Sequence, residues 1–332
     1  GESCGGVLEA MNAIKEANTA KEPLIAVGAG TFGHYGNQTR QGVKSVCTLA
    51  MTDIIEYDSD NQFITIGAGM SLKGLQKILG ENNQWLPQRP PFFDTKATTG
   101  SLIAMGCSGP ERMFYGAPRD FLLGLRYIDS QGRMISTGGK VVKNVAGYDM
   151  TRLLTGSNGT LGMITEATWR VSTRPELSMA VSATGDLTTC FNVALTLMNA
   201  NLFPAFITAV PKDNFSGQFP DQWKMVVGFE GLFKVVEHQV EKCSLLLGSN
   251  KLKAGETWAY DLIDGCFLYD FDKIALAPYI LKAGVALEKM PDIINAITAL
   301  ETPNEWLLDF GCGRIFGALD SLESDHWSSL GR

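Results

Sequence analysis

Gly28-Ala29-Gly30-Thr31-Phe32-Gly33-His34-Tyr35-Gly36-Asn37-Gln38-Thr39-Arg40-Gln41-Gly42 is the stretch on which the fold turns. It follows Leu24-Ile25-Ala26-Val27, which reads as a short buried strand. Its first six residues match G-x-G-x-x-G, with Asp53 twenty residues on from Gly33 where a ribose-binding acid would stand. That fingerprint of a dinucleotide-binding βαβ unit works only if the third glycine opens a helix whose N-terminus meets the pyrophosphate. Here two further glycines follow and no apolar stripe at helical spacing exists, so no helix is expected. Successive glycines still let backbone N–H groups converge on an anion. The loop reads as a pyrophosphate cradle of another kind, with NAD as a minor alternative and a tight structural turn as the plain one.

Outward from this loop the elements are short and mixed. Val7, Leu8, Met11, Ile14 and Ala17 share one helix face to about Thr19. Strands are expected at Lys44–Leu49 and Gln62–Gly67, and a helix at Leu72–Leu79 capped by Ser71. Leu86-Pro87-Gln88-Arg89-Pro90-Pro91 must be extended. Leu123–Ile128 and Arg133–Thr137 flank the hairpin signature Asp129-Ser130-Gln131-Gly132. This is an α+β pattern and not a regular βαβ array. Composition changes near Arg174-Pro175-Glu176, giving expected domains of 1–175 and 176–332. Beyond it come strand 177–184, helix 187–200, strands near 205–210 and 224–229, and helix 234–247. Strand 280–286, helix 291–300 and strand 306–310 complete a second, smaller α+β domain. No sequence repeat of fixed period is present.

The 332 residues are 45% hydrophobic and 19% charged, with a net charge of −7. A disordered chain is excluded, and no basic stripe offers a nucleic-acid surface. No apolar window approaches the roughly 18 residues of a membrane-spanning helix, and no signal peptide is visible. Seven scattered cysteines without C-x-x-C read as reduced thiols. They argue against a metal or iron–sulfur cluster held by this chain and for the cytoplasm, with any membrane association made through partners.

Three more clusters of small residues decide between the readings of the first. They are Ala97-Thr98-Thr99-Gly100-Ser101-Leu102-Ile103-Ala104-Met105-Gly106-Cys107-Ser108-Gly109, Gly138-Gly139-Lys140-Val141-Val142-Lys143-Asn144-Val145-Ala146-Gly147-Tyr148-Asp149, and Gly156-Ser157-Asn158-Gly159-Thr160-Leu161-Gly162-Met163-Ile164-Thr165-Glu166. Small residues allow a flat ring or a diphosphate close to the backbone, and hydroxyls supply hydrogen bonds. Each cluster alone is compatible with loop architecture; four in this order are specific.

With these motifs the chain resembles the FAD-binding domain of the PCMH-type (vanillyl-alcohol-oxidase) superfamily, strongly over residues 5–175. Ser108-Gly109-Pro110, Gly116-Ala117-Pro118-Arg119-Asp120-Phe121 and Val142–Asp149 make it most similar to the GlcE-type FAD-binding subunits of glycolate oxidases. The resemblance implies a two-subdomain FAD-binding domain followed by a ferredoxin-like cap domain. It implies FAD held at the pyrophosphate by Gly28, Ala29, Gly30, Thr31, Phe32 and Gly33. The flavin would lie against Ala97, Thr98, Thr99, Gly100, Ser101 and Ala104, with Gly109, Gly162 and Ile164 contributing further contacts. Relatives with covalent FAD carry His where Thr31 stands or Cys where Lys96 stands, so non-covalent FAD is implied. Ser101 replaces the second glycine of the family's T-x-G-G segment. The family's closing segment has no counterpart, so the second domain is expected to be C-terminally truncated.

The chemistry implied is oxidation of glycolate or a related 2-hydroxy acid, with a larger flavin subunit and an iron–sulfur subunit as partners. Such a reaction needs a base, a cation for the carboxylate and hydride acceptance at the flavin. Only His34, His238 and His326 are available as histidines, and none forms a metal pattern. His238 and His326 read as surface residues. Among the cations Arg89, Arg112, Arg119 and Arg314, the last is the favoured carboxylate ligand and Arg112 the second choice. Arg89 reads as a solvated loop residue, and Lys143 as a neutraliser of FAD phosphate. Three readings stand: a glycolate oxidase subunit, a stand-alone FAD-linked D-lactate or 2-hydroxy acid dehydrogenase, and a non-catalytic assembly subunit.

Overall fold

Val7–Ala20 forms helix α1, which buries Ala10, Ile14 and Ala17 and ends at Lys21 in the left-handed conformation. It belongs to a computed structural model that describes residues 5–33, 35, 42–94, 96–139, 148–212, 219–250, 252–260, 274–300 and 303–320. The chain divides into two units. The first comprises residues 1–109 and 116–174, and the second residues 110–115 and 175–332. The division at Arg174/Pro175 lies beside the expected boundary, but the excursion Pro110–Tyr115, read from sequence as part of the first domain, belongs to the second.

In the first unit, α1 packs with a two-stranded parallel sheet of β1 (Leu24–Val27) and β2 (Lys44–Cys47). The strand expected at Leu24–Val27 exists, yet all four residues are half-buried and not buried. A two-stranded sheet covered by one helix leaves its other face partly open. The larger sheet has five strands, β3 (Ile54–Asp58), β4 (Phe63–Gly67), β6 (Leu122–Ile128), β7 (Met134–Gly138) and β8 (Met163–Arg170), in the order β3-β4-β8-β6-β7. Every pairing in it is antiparallel. Helix α2 (Leu72–Gly80) starts at Ser71, whose hydroxyl accepts from the Gly74 amide. Strands β5 (Gln84–Trp85) and β9 (Ser172–Thr173) pair with each other. Short helices α3 (Thr99–Met105), α5 (Pro118–Phe121) and α6 (Met150–Leu154) complete this unit, while α4 (Arg112–Tyr115) lies in the excursion.

In the second unit β10 (Leu177–Gly185), α7 (Leu187–Met198), β11 (Phe206–Pro211), β12 (Trp223–Gly231), α8 (Phe233–Ser249) and β13 (Lys253–Ala259) run as βαββαβ. Their sheet order, β13-β10-β12-β11, is 4-1-3-2, the ferredoxin-like arrangement. β14 (Tyr279–Gly284), α9 (Met290–Leu300), β15 (Glu305–Asp309) and β16 (Arg314–Leu319) then repeat its first three strands, and β15 pairs with β11 to join the two sets into one seven-stranded sheet. The sequence has no repeat, but the topology does. Alternate residues point into the core shared with the helices: Ile207, Ala209, Met225, Val227, Phe229, Trp306, Leu308 and Ile315 pack with Val236, Val240, Cys243 and Ile294. The opposite face carries Thr208, Glu230, Asp309 and Arg314.

Candidate functional site

The first unit brings three of the four small-residue clusters together. After β1 the described residues 28–33 and 35 make two turns and no helix: the Gly33 amide donates to Gly30 O and the Tyr35 amide to Phe32 O. Gly30 has φ +74, and a Cβ placed there would meet nothing within 4 Å. Gly28 lies against the second cluster, since its Cβ would stand 3.1 Å from Thr98 Oγ1. Phe32 holds the loop from the side, with its ring edge-on to Tyr35 and Phe92 at 5.3 Å each. Burial pushes the Tyr35 phenol up to about 12. Asp53, the acid of the dinucleotide reading, is an exposed residue whose carbonyl receives the Gly67 amide.

The second cluster folds into α3 because Thr98 and Ser101 make a reciprocal cap. Thr98 Oγ1 accepts from the Ser101 amide at 3.2 Å, and Ser101 Oγ accepts from the Thr98 amide at 2.9 Å. The hydroxyl protons expected to face a cofactor go elsewhere: Ser101 donates to Thr98 O and Thr99 to Gly67 O. What this segment presents is backbone and small surface. Gly100 is sterically required, because a Cβ would lie 2.9 Å from Ala68 O. Ala97 is buried and its carbonyl receives the Leu72 amide.

The fourth cluster is sewn to α3. The Gly156 amide donates to Ile103 O at 2.9 Å and the Asn158 amide to Ala104 O at 2.8 Å, while Gly106 and Gly156 nearly touch. Gly156 (φ +81) and Gly159 (φ +72) have open space where a Cβ would be. Gly162 and Ile164 have a packing reason of their own: a Cβ on Gly162 would strike the Tyr127 ring at 2.7 Å, and Ile164 pairs with Tyr127 within the sheet. Gly109 is buried. The part of the third cluster from 140 to 147, with Lys143, lies outside the described residues, as do His34 and His326. Gly30, Gly156 and Gly159 are left-handed with open space beside the backbone, the local feature that close approach of a diphosphate or a flat ring requires.

Arg89 corrects one expectation. It is 3% exposed and its guanidinium lies 5.8 Å from the centre of the Trp85 ring, so it is part of the interior of the proline-rich segment and not a solvated loop residue. Gln88 beside it donates to Gly116 O. Arg119 is exposed, beside Asp120.

In the second unit, the sheet face away from the helices buries polar side chains among apolar ones such as Phe206, Val226, Leu307 and Phe316. Asp309 is wholly buried and receives the Arg314 Nε at 2.9 Å and the Cys312 amide at 3.1 Å. Burial pushes the Asp309 carboxyl above its ordinary value, against the pull of Arg314. Arg314, the favoured carboxylate ligand in the sequence reading, is thus committed to an ion pair. Burial, with Asp309 beside it, also pushes the Cys312 thiol up to about 12, and Arg112 and Arg314 oppose the rise. Arg112 has no hydrogen-bond or ion-pair partner among the described residues. Opposite Asp309 in the sheet stands Thr208, 1% exposed, whose hydroxyl likewise has no partner among them. Farther along the face Glu230, 4% exposed, receives Tyr115 Oη at 2.7 Å and Tyr260 Oη at 2.6 Å. Neither Thr208 nor this carboxylate was found in the sequence; period-2 alternation places both on the face opposite the helix-packed core, and nothing in it marks them as buried there. His238 is exposed on α8. Among the described residues no group of acidic, histidine and cysteine side chains is placed to hold a metal. No described helix is long and apolar enough to cross a membrane.

Residues 5–138 match the FAD binding domain family. The chain is 37% identical over 169 residues to the glycolate oxidase subunit GlcE of Escherichia coli, covering 51% of this chain and 47% of that one. It is 37% identical over 160 residues to a D-lactate dehydrogenase of Archaeoglobus fulgidus, covering 48% and 35%. To the glycolate oxidase subunit GlcD of Bacillus subtilis it is 29% identical over 230 residues, covering 66% and 49%. The matches therefore span about half the length of these relatives or less. A solved alkyldihydroxyacetonephosphate synthase shares the fold at a TM-score of 0.74 and 17% identity, over 99% of this chain and 71% of that one.

Proposed function

We propose that the chain, whose residues 5–138 match the FAD binding domain family, is the flavin-carrying part of an oxidoreductase acting on glycolate or a related 2-hydroxy acid. The single observation carrying this reading is that a chain whose residues 5–138 match the FAD binding domain family is also 37% identical to GlcE over 169 residues. FAD, when bound, supplies an acceptor for the substrate hydride. In this reading the backbone from Gly28 to Gly33 takes the diphosphate. Ala97, Thr98, Thr99, Gly100, Ser101 and Ala104 offer the close-packed surface for the ring, with Gly109, Gly162 and Ile164 supporting the cradle. Thr31 and Lys96 leave both covalent attachment positions without a tether, so the cofactor is held non-covalently. Arg112 takes the substrate carboxylate, and Arg314 contributes from a geometry fixed by Asp309. Arg112 leads because Arg314 already has a counter-charge.

No histidine stands ready as a base among the described residues, and this favours function within a complex. The proposed partners are a larger, GlcD-type flavin subunit and an iron–sulfur subunit, on the cytoplasmic side and at a membrane only through them. A stand-alone D-lactate dehydrogenase is the second reading, favoured by the Archaeoglobus fulgidus relative. The test begins with FAD added to the purified chain, which should give flavin bands near ~370 and ~450 nm, released into the supernatant by acid precipitation. Anaerobic bleaching by glycolate alone supports the first reading and by D-lactate alone the second. Absence of flavin bands would sink both, and bleaching by neither would reduce the chain to an assembly subunit. Recovery of an iron–sulfur protein with the chain tests the partnership.

A further inference from the structure

Helix α4 carries Arg112 on a single turn of four residues, Arg112–Tyr115. A turn this short has no stability of its own, since isolated helices below about 12–15 residues are marginal in water. Its place in the second unit therefore depends on what its side chains grip. At one side Met113 lies on Gly311, where a Cβ would stand 2.4 Å from its sulfur. At the other, Tyr115 donates to Glu230 Oε2 at 2.7 Å. Glu230 sits on β12, nearly without solvent, and its second oxygen takes the Tyr260 hydroxyl at 2.6 Å. Tyr260 is fixed in turn, its amide donating to Ser178 O on β10. The carboxylate thus ties the excursion to two neighbouring strands through charge-assisted bonds, the strong class of hydrogen bond.

We propose that Glu230, acting through Tyr115, is a positioning residue for Arg112. The juxtaposition supports more than a structural tie. Met113 holds α4 by apolar contact alone, against Gly311 and the neighbouring core, which is non-directional and does not set the rotation of the turn. The Tyr115–Glu230 bond removes that freedom and sets where the Arg112 guanidinium points. Met113, the next residue, rests on Gly311, so the turn that carries Arg112 lies beside the Gly311-Cys312-Gly313 turn, in keeping with the opposition of Arg112 to the rise in the Cys312 thiol. Tyr260 holds the far oxygen so that Glu230 itself has one orientation. The inference rests on the reading of Arg112 as the carboxylate ligand, and the experiment separates the two.

The FAD-loaded full chain is titrated with oxalate, a two-carbon dicarboxylate with no C–H hydride to transfer, by calorimetry, and amide hydrogen exchange is followed over residues 110–116. Arg112→Ala tests the underlying reading: unchanged oxalate affinity overturns it. Given a loss there, Tyr115→Phe and Glu230→Gln are expected to weaken oxalate by about tenfold, the size of one charge-assisted bond. Both should speed exchange at 110–116 and leave β15 and β16 unchanged. Tyr260→Phe, which keeps the Tyr115 bond, should fall between these variants and the wild type. Wild-type oxalate affinity in Tyr115→Phe, or unaltered exchange at 110–116, overturns the positioning role even where Arg112→Ala binds poorly. Because Tyr115→Phe keeps the ring and removes one oxygen, it stands as the test if Glu230→Gln does not fold.

Discussion

Removing Arg314 tests whether its pairing with Asp309 is architecture or machinery. Asp309 is 0% exposed and the Arg314 side chain 11%, so Arg314→Met leaves a carboxylate with no solvent and no counter-ion. Breaking a buried pair from one side costs about 3–5 kcal/mol. For a unit of this size, roughly 2–4 °C are lost per kcal/mol, so the midpoint should fall by roughly 6–20 °C. Asp309→Leu with Arg314→Met removes both charges and should return to within about 1 kcal/mol of wild type. The assay is urea unfolding followed by fluorescence, with Trp223 and Trp306 buried in the same unit as reporters. The pH dependence has a definite sign. Burial raises the folded-state pKa of Asp309, and without the guanidinium only the hydrogen bonds from Cys312 offset that rise. An acid raised in the folded state contributes stability while protonated and loses it as pH climbs through the folded pKa. The Arg314→Met deficit should therefore be smallest in acid and grow toward neutrality. A single variant costing under about 1 kcal/mol, or a double variant as unstable as the single, would refute the buried-pair argument. If the double variant is stable yet fails to bind oxalate, Arg314 has a binding role beside its structural one.

Gly28→Val puts a branched side chain against Thr98 Oγ1, which cannot retreat because it caps α3; FAD should bind ~tenfold or more weakly with far-UV dichroism unchanged. Thr208→Val deletes a buried hydroxyl that has no partner among the described residues. It should be neutral or stabilising by about 1 kcal/mol in urea unfolding, and a loss of that size would mean the hydroxyl is bonded. Asp186 caps α7 by accepting from the Thr189 amide, and the Thr189 hydroxyl, then that amide, hold its carboxyl below its ordinary value. Asp186→Ala should cost about 1 kcal/mol at pH 7. A depressed acid contributes above its unfolded pKa and loses that as pH falls through the folded one, so wild type and variant should converge in strong acid.

What was legible in the sequence follows from what local patterns encode. Periodicity located α1, α2, α7, α8 and α9, because each has an apolar stripe over more than two turns. It failed on α3, where Thr99, Gly100 and Ser101 are poor helix formers and a side-chain cap supplies the start. β13 was missed because almost every residue of this edge strand is exposed, which leaves no alternation to read. Proline spacing predicted an extended Leu86–Pro91, whereas the Gln88 amide turns back onto Leu86 O, and it did not show that the whole segment, Arg89 included, is interior. The excursion of α4 into the second unit was invisible for a different reason. Its anchors, Glu230 and Gly311, lie more than a hundred residues away, and nothing local in Arg112-Met113-Phe114-Tyr115 signals them.

Ser101 shows how a departure from a family pattern becomes interpretable once geometry is known. The resemblance set two small positions side by side, Gly100 and Ser101, and treated the serine as a mild change. Their requirements are different. At Gly100 any Cβ meets the Ala68 carbonyl at 2.9 Å, so glycine is enforced by backbone that cannot move. At Ser101 the side chain turns back onto Thr98, accepts its amide and donates to its carbonyl. The serine therefore adds capping bonds that glycine lacks and fixes the first turn of the segment against which the ring is proposed to lie. Ser101→Gly should then keep the close approach and lose about 1 kcal/mol of local stability. Hydrogen exchange at the Ser101 and Leu102 amides reads that loss. If exchange there is unchanged while FAD affinity falls, the serine touches the cofactor directly and the capping account fails.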